Sequence, residues 1–334
     1  MNQRLTIFLS IALGLILIGI WLYIVDFGEM LNTFKKVKTS FVFPLGIVFI
    51  FIYFLRSLRW KIILSPVQNI TIFESFNLCM ANYFVNFLIP VHAGELAKSL
   101  LLKNMKGTPV AKSLPTVYID KVTDLLPIFL LLIVASFLKT KISFISYLAA
   151  GIFFIILAIL ILSLIFLVYK KNVALTWIER IFFFLPLTFK MKLRSFFNLF
   201  ADGISSMALL SDRLLEISGL TILALLVHCF FMWLFFYSFG INLPILTVLV
   251  GYLLLNASFI LPAPPGFSGS LELTFVFIFT YLYGYDKNLV SAVAVSSHVF
   301  TAILFGLFGF SSIALIGTKL STILKIESQN KNGL

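Results

Sequence analysis

Apolar positions run almost unbroken through six stretches of this chain, residues 5–25, 41–63, 113–138, 143–169, 217–240 and 289–317. At about 1.5 Å per residue, each is long enough to predict a helix crossing roughly 30 Å of hydrocarbon. Two further apolar segments, 73–108 and 243–283, are interrupted midway, by "NFLIPVHAGE" and "SFILPAPPGFSGSLE". Their halves are too short to cross. Each therefore predicts a helical hairpin that enters the membrane and returns to the same side. The irregular tips must lie in protein or face a wet cavity, because lipid cannot satisfy bare N–H and C=O groups. The expected fold is all-α and polytopic, six transmembrane helices plus two re-entrant hairpins.

Charge then orients the chain. With the N-terminus inside and neither hairpin crossing, eighteen Lys and Arg fall in cytoplasmic segments and six outside, as the positive-inside rule requires. Both termini are then cytoplasmic in a multi-pass protein of the cell membrane. The run 5–25 is too long for a signal h-region and is read as a retained anchor. In this topology units 41–138 and 217–317 become inverted copies, each with a broken segment between two spans of opposite sense. That arrangement characterises secondary transporters. The sequence echo pairs Asn82, Pro90, Gly94 and Glu95 with Asn256, Pro262, Gly269 and Glu272. Residues 170–216 join the units. Within them Leu193, Phe196, Phe197, Phe200, Ile204 and Met207 recur at helical spacing, predicting an amphipathic helix on the anionic leaflet. Residues 1–320 form one membrane domain, and 321–334 a polar tail.

Composition narrows the class. The chain of 334 residues is 61% hydrophobic and 11% charged, with a net charge of +12. A soluble fold normally carries about a quarter charged residues. In such a chain the excess of positive charge reads as membrane orientation, and no nucleic-acid partner is expected. Two cysteines, Cys79 and Cys229, give no disulfide framework, and His92, His228 and His298 have no ligand spacing. Neither a metal nor another cofactor is expected.

Charges inside apolar segments cost about 2.5–3.5 kcal/mol each on insertion scales, so they need a role. They are Arg56 and Arg59 near the end of the second span, Glu95 and Lys98 at the first break, Asp120, Lys121 and Asp124 early in the next span, and Glu272 after the second break. Asp120 and Asp124 share a helix face, with Lys121 about a hundred degrees round. They suit either an ion pair that only holds the fold or a binding site. Glu95 and Glu272 each follow a glycine where a half-helix should start. There a carboxylate can satisfy orphan N–H groups, and a helix N-terminus flanked by cations can hold phosphate. Arg56, Arg59, Lys98 and Lys121 are the cations available. A phosphate-bearing lipid headgroup is the expected ligand, bound where the two tips meet.

Four motifs in order resemble the transmembrane, flippase-like domain of the lysylphosphatidylglycerol synthase family, which also occurs as stand-alone proteins. "RSLRWKIIL" is similar to its Arg-x-x-Arg-Trp stretch. "PVHAGELAKSLLL" is similar to its Pro-x-x-x-Gly-Glu-x-x-Arg motif, with Lys98 where the family has Arg. "DKVTD" matches its acidic–basic–x–x–Asp element. "PAPPGFSGSLE", which contains Pro262, Pro265, Gly266, Gly269 and Glu272, matches its proline–glycine signature. The resemblance runs from about 41 to 317. It implies translocation of an aminoacylated or related phospholipid between leaflets. No stretch remains for a soluble aminoacyl-transfer domain, so lipid synthesis is not expected of this chain, and a separate lipid-synthesising enzyme becomes a candidate partner.

Two rivals remain at the level of sequence. A polyprenyl-phosphate-sugar transporter, or an accessory to a glycosyltransferase, would share the fold and differ in cargo. A rhomboid-like intramembrane serine protease would use Ser268 of "GFSG" with His298. A longer signature already accounts for Ser268, so no catalytic residue is expected.

Overall fold

The computed structural model describes residues 3–35, 37–89, 93–137, 173, 187–258 and 264–317. Among them every regular element is helical. In chain order these are α1 (Gln3–Ile24), α2 (Phe27–Phe34), α3 (Val42–Leu64), α4 (Ile72–Leu88), α5 (Ala93–Lys106) and α6 (Val110–Phe137). They continue as α7 (Leu187–Ser206), α8 (Leu214–Ser238), α9 (Ile245–Ser258), α10 (Ser270–Phe275) and α11 (Lys287–Leu315). α10 runs on as a π-helical stretch, Val276–Leu282.

Local chemistry sets several boundaries. Thr71 and Glu74 close a capping box at the start of α4: the Glu74 N–H donates to Thr71 Oγ1, and the Thr71 N–H to Glu74 Oε2. Asp286 caps α11 through the Leu289 N–H. Asp26 caps α2 in the same way, and there the chain bends by 85° between Ala12–Ile24 and Phe27–Phe34. Nothing in the hydrophobic pattern announced α2.

Among the described residues three helical stretches are long and apolar enough to cross a membrane, Thr39–Leu64, Leu209–Ser238 and Lys287–Leu315, and the bent α1–α2 pair makes a fourth candidate. The expected spans 41–63, 217–240 and 289–317 coincide with α3, α8 and α11, and 5–25 with α1. Of the expected span 113–138, residues 113–137 lie in α6, whose 28 residues include Asp120, Lys121 and Asp124. The span 143–169 and the tail 321–334 lie outside the described residues. Both broken segments are broken in the structure, α4 from α5 and α9 from α10.

Packing sorts the helix ends into two groups. At one end Asn288 accepts from the Asp26 N–H and donates to Glu29, Lys38 N–H donates to the Ser238 carbonyl, and Phe34 packs on Phe239. At the other end Thr108 donates to Gln68, Ser312 to Asn77, and Lys106 pairs with Glu74 at 2.6 Å. The last contact joins the start of α4 to the end of α5. Between the two ends lies an aromatic core that includes Phe49, Tyr53, Phe231, Phe236, Phe279 and Phe305. α11 approaches α4 closely at Gly309, where a Cβ would sit 2.2 Å from the Cβ of Phe84. α7 rests on the start of α6, with a Gly203 Cβ position 2.5 Å from the Lys112 carbonyl. Its apolar stripe is only partly covered, since Phe197, Phe200 and Ile204 are half-buried while Phe196 is exposed.

Candidate functional site

Arg56, Arg59 and Trp60 stand on one face of α3, spaced three and four residues apart. Asp120 and Asp124 do the same on α6. The two faces meet. Arg59 Nε donates to Asp120 Oδ1 at 3.0 Å, and its Nη2 to Asp124 Oδ1 at 2.7 Å. The same guanidinium reaches the Asp120 carbonyl and Thr221 Oγ1 on α8. Arg56 Nη1 bridges Asp124 Oδ2 at 3.2 Å and the Tyr83 hydroxyl of α4 at 3.0 Å. From α5, Lys98 Nζ donates to Asp120 Oδ2 at 3.2 Å and lies 3.9 Å from the Trp60 ring centroid. Arg59 is 1% exposed and Lys98 2%. Charges so deep are tolerated only with geometry this complete.

The cluster is not neutral. Among the described residues three cations face two carboxylates, leaving one positive charge in excess. Several polar atoms on α3, α4 and α5 are buried with no partner among the described residues: Arg56 Nε, Trp60 Nε1, Asn82 Oδ1, Ser99 Oγ and Glu95 Oε2. A cleft beside it is bordered by Arg56, Asp124, Thr221, Tyr252 and Asn256. At about 10 Å³ it has room for a single water. The second broken segment thus reaches the cluster through Tyr252 and Asn256 of α9.

Glu95 and Lys121 stand apart from this core. They pair with each other at 3.4 Å, and Lys121 is the more exposed partner. Gly94 explains the tight fit of α5 against α4. Its N–H donates to Asn86 Oδ1 at 2.7 Å, and a Cβ there would lie 2.2 Å from the Asn82 carbonyl oxygen. Replacing Gly94 by Ala should therefore lower stability by about 1–3 kcal/mol, the usual cost of overpacking. Thermal unfolding in detergent reads this directly, and an unchanged melting temperature would mean the α4–α5 approach is looser than described. Pro90 and His92 lie outside the described residues.

The second break is built differently. Pro265, Gly266 and Phe267 form a 3₁₀ turn, with Gly266 at φ 63° and Gly269 at φ 77°. Phe267 also has a positive φ, 55°, which a side chain adopts only under constraint. Glu272 Oε2 accepts from the Gly269 N–H at 3.0 Å. Its Oε1 lies 2.6 Å from His298 Nδ1 on α11, and His298 Nε2 lies 2.6 Å from the Gly266 carbonyl. Ser268 Oγ donates to the Pro265 carbonyl at 2.9 Å. Both histidine nitrogens are thus engaged away from Ser268, and the dyad a serine protease needs is not assembled. Pro262 lies outside the described residues.

The two breaks approach each other at Phe87, whose Cζ would lie 3.6 Å from a Cβ on Gly266 and whose ring stands 5.8 Å from His298 of α11. Arg59 and Lys98 share Asp120, Glu95 answers Lys121, and Glu272 answers His298. Sequence reasoning named His298 only as the partner of Ser268 in the protease reading. The available signal was that, apart from Lys287 at its start, α11 carries no other ionisable side chain.

A family model described as "Lysylphosphatidylglycerol synthase TM region" matches residues 7–309. Among curated proteins, two described as "UPF0104 membrane protein", from Methanothermobacter thermautotrophicus strain Delta H, are similar. One is 27% identical over 133 residues, covering 39% of this chain and 37% of that protein. The other is 26% identical over 255 residues, covering 73% of this chain and 74% of that protein. In the first of these matches the chain spans just over a third of the relative's length. No solved structure matches.

Proposed function

This chain belongs to the lysylphosphatidylglycerol synthase transmembrane-region family, and we propose that it moves a phosphate-bearing lipid between membrane leaflets. The observation that carries this reading is the buried excess cation. Among the described residues Arg56, Arg59 and Lys98 face only the carboxylates of Asp120 and Asp124, so an anionic group entering the cluster would neutralise it. Phosphate suits such a site because its oxygens accept several charge-assisted bonds at once. An ammonium on an aminoacylated headgroup would find Glu95, whose Oε2 is buried and unpartnered.

The inner cleft is too small for a headgroup, so movement must open it. A groove of about 570 Å³ lies at the end of α3, bordered by Lys61, Ser65, Asn69, Arg213 and Glu216. That volume is within the range of ligand pockets. It gives a headgroup a first resting place close to Arg59 in the chain. Mass spectrometry of lipids retained by the purified protein tests the cargo. Retention of anionic phospholipid, aminoacylated or not, supports the reading. Enrichment of a polyprenyl-phosphate sugar would keep the phosphate and change the cargo, and retention of neutral lipids alone would refute it.

The proposal includes an architecture of six spans and two re-entrant hairpins in the cell membrane, with units 41–138 and 217–317 inverted. The Glu74–Lys106 pair at the mouth of α4 and α5 supports the first hairpin. The grouping of Asp26, Lys38, Ser238 and Asn288 at one end supports the inversion. The apolar stripe of α7, partly covered with Phe196 exposed, supports its place on the cytoplasmic leaflet. Single cysteines at Lys35 and Lys287 should label from outside intact cells, and cysteines at Asn104 and Asp212 should not. Outside labelling at Asn104 would mean that the first broken segment crosses.

A further inference from the structure

The Glu272–His298 contact has a use that the lipid site does not require. His298 Nε2 stands 2.6 Å from a carbonyl oxygen that can only accept, so Nε2 must carry hydrogen. Nδ1 stands 2.6 Å from Glu272 Oε1, so a second proton must lie between those two atoms, on one or the other. The pair therefore holds one dissociable proton. Removing it leaves one ring hydrogen to serve two acceptors. Either Nδ1 faces the carboxylate lone pair to lone pair, or Nε2 faces the Gly266 carbonyl in the same way. The charge-assisted bond to Glu272 is the stronger, so the bond to Gly266 is the one lost.

We propose that Glu272 and His298 form a proton-binding site that latches the tip of the second broken segment to α11, and that proton loss releases the tip. If the transport reading above is right, this is where a coupling proton binds. The tip is placed to respond. Gly266, Phe267 and Gly269 all hold positive φ, and α1 rests directly on Gly269, where a Cβ would lie 2.6 Å from the Ile18 nitrogen.

The surroundings leave the proton to this pair. On α4 the ring facing His298 is Phe87, while Tyr83 receives Arg56. On α9 Tyr252 stacks against His228 of α8, and α8 meets Phe300 of α11 with Phe231 and Phe235. α1 carries Arg4 at its far start and Tyr23, which is exposed, and on the π-helical stretch after α10 Tyr281 is exposed too. Glu29 on α2 is bonded to Asn288 at the outer end of α11, beside Lys287.

Ring-labelled ¹⁵N-histidine NMR of the full chain in nanodiscs tests the site. Only three histidines contribute, and His298→Gln assigns the one in question. Between roughly pH 5 and 9 the pair should lose one proton, with Nε2 of His298 ending bare and the remaining ring hydrogen on Nδ1. In Glu272→Gln the amide can donate to Nδ1, so His298 should stay neutral with hydrogen on Nε2 throughout. The amide protection factors of residues 266–269, taken against base-catalysed intrinsic exchange at each pH, should fall about tenfold on proton loss in the wild type, the worth of one lost hydrogen bond, and stay unchanged in Glu272→Gln. A His298 signal that never changes, or that titrates alike in both proteins, would overturn the proposal. Because this readout needs no cargo, a wild type that titrates as expected yet moves no lipid would defeat the transport reading alone.

Discussion

Arg59→Ala should be the most damaging single substitution in the described structure, lowering stability by about 3–5 kcal/mol. Arg59 is 1% exposed and bonds both carboxylates of α6 and a hydroxyl of α8. Truncating one partner of a buried ionic cluster leaves the others desolvated without compensation, and this is where the large costs arise. Arg59→Lys should recover only part, because a single ammonium cannot reproduce a fork that spans Asp120 and Asp124. The double variant Arg59→Ala with Asp124→Ala should cost less than the two single losses together, by about 0.5–3 kcal/mol, since the pair is in direct contact. Unfolding in detergent, monitored by a fluorescent dye or by circular dichroism, measures the four variants against wild type. An Arg59→Ala protein within about 1 kcal/mol of wild type would mean that the cluster does not hold α3, α6 and α8 together.

Lys98→Met should separate function from folding. Methionine keeps an unbranched side chain over Trp60 but removes the charge, and Asp120 keeps Arg59 as its partner. The protein should fold, with a loss of about 1–3 kcal/mol. The excess positive charge disappears, leaving Arg56 and Arg59 against Asp120 and Asp124. Losing one charge-assisted bond to phosphate, worth about 1.5–3 kcal/mol, should cut lipid translocation by roughly 10- to 150-fold. Lys98→Arg should restore it, because the guanidinium carries the same charge and can hold phosphate through two bonds. Translocation by Lys98→Met at the wild-type rate would remove the excess cation from the mechanism.

Long-range hydrophobicity made α3, α8 and α11 legible, because 23 to 29 residues of largely apolar helix leave few other readings. Proline and glycine marked both breaks. Spacing along single helices was legible as well, putting Arg56 with Arg59 and Asp120 with Asp124. Spacing says nothing about which face meets which across 61 residues of chain, so Arg59–Asp120 had to come from tertiary structure. The same limit explains why Lys121, adjacent to Asp120, answers Glu95 instead of joining the arginines. Glu272 and His298 are 26 residues apart on different helices, and neither neighbourhood hints at the other. The bend at Asp26 was missed because eight residues of α2 are too few for a periodic signal to emerge, although Asp26 and Glu29 carried the cap.

Reconstituted vesicles give the most direct test of lipid translocation through the buried cations. Purified protein is incorporated with a trace of anionic phospholipid whose headgroup can be modified by an impermeant reagent, and its loss from the inner leaflet is followed. The account predicts exchange at least about tenfold faster than in protein-free vesicles, with no acceleration of a glycolipid lacking phosphate, because the latter offers the excess cation no anion. Vesicles that exchange the phosphate lipid no faster with protein than without it, or that move both lipids equally, would contradict it.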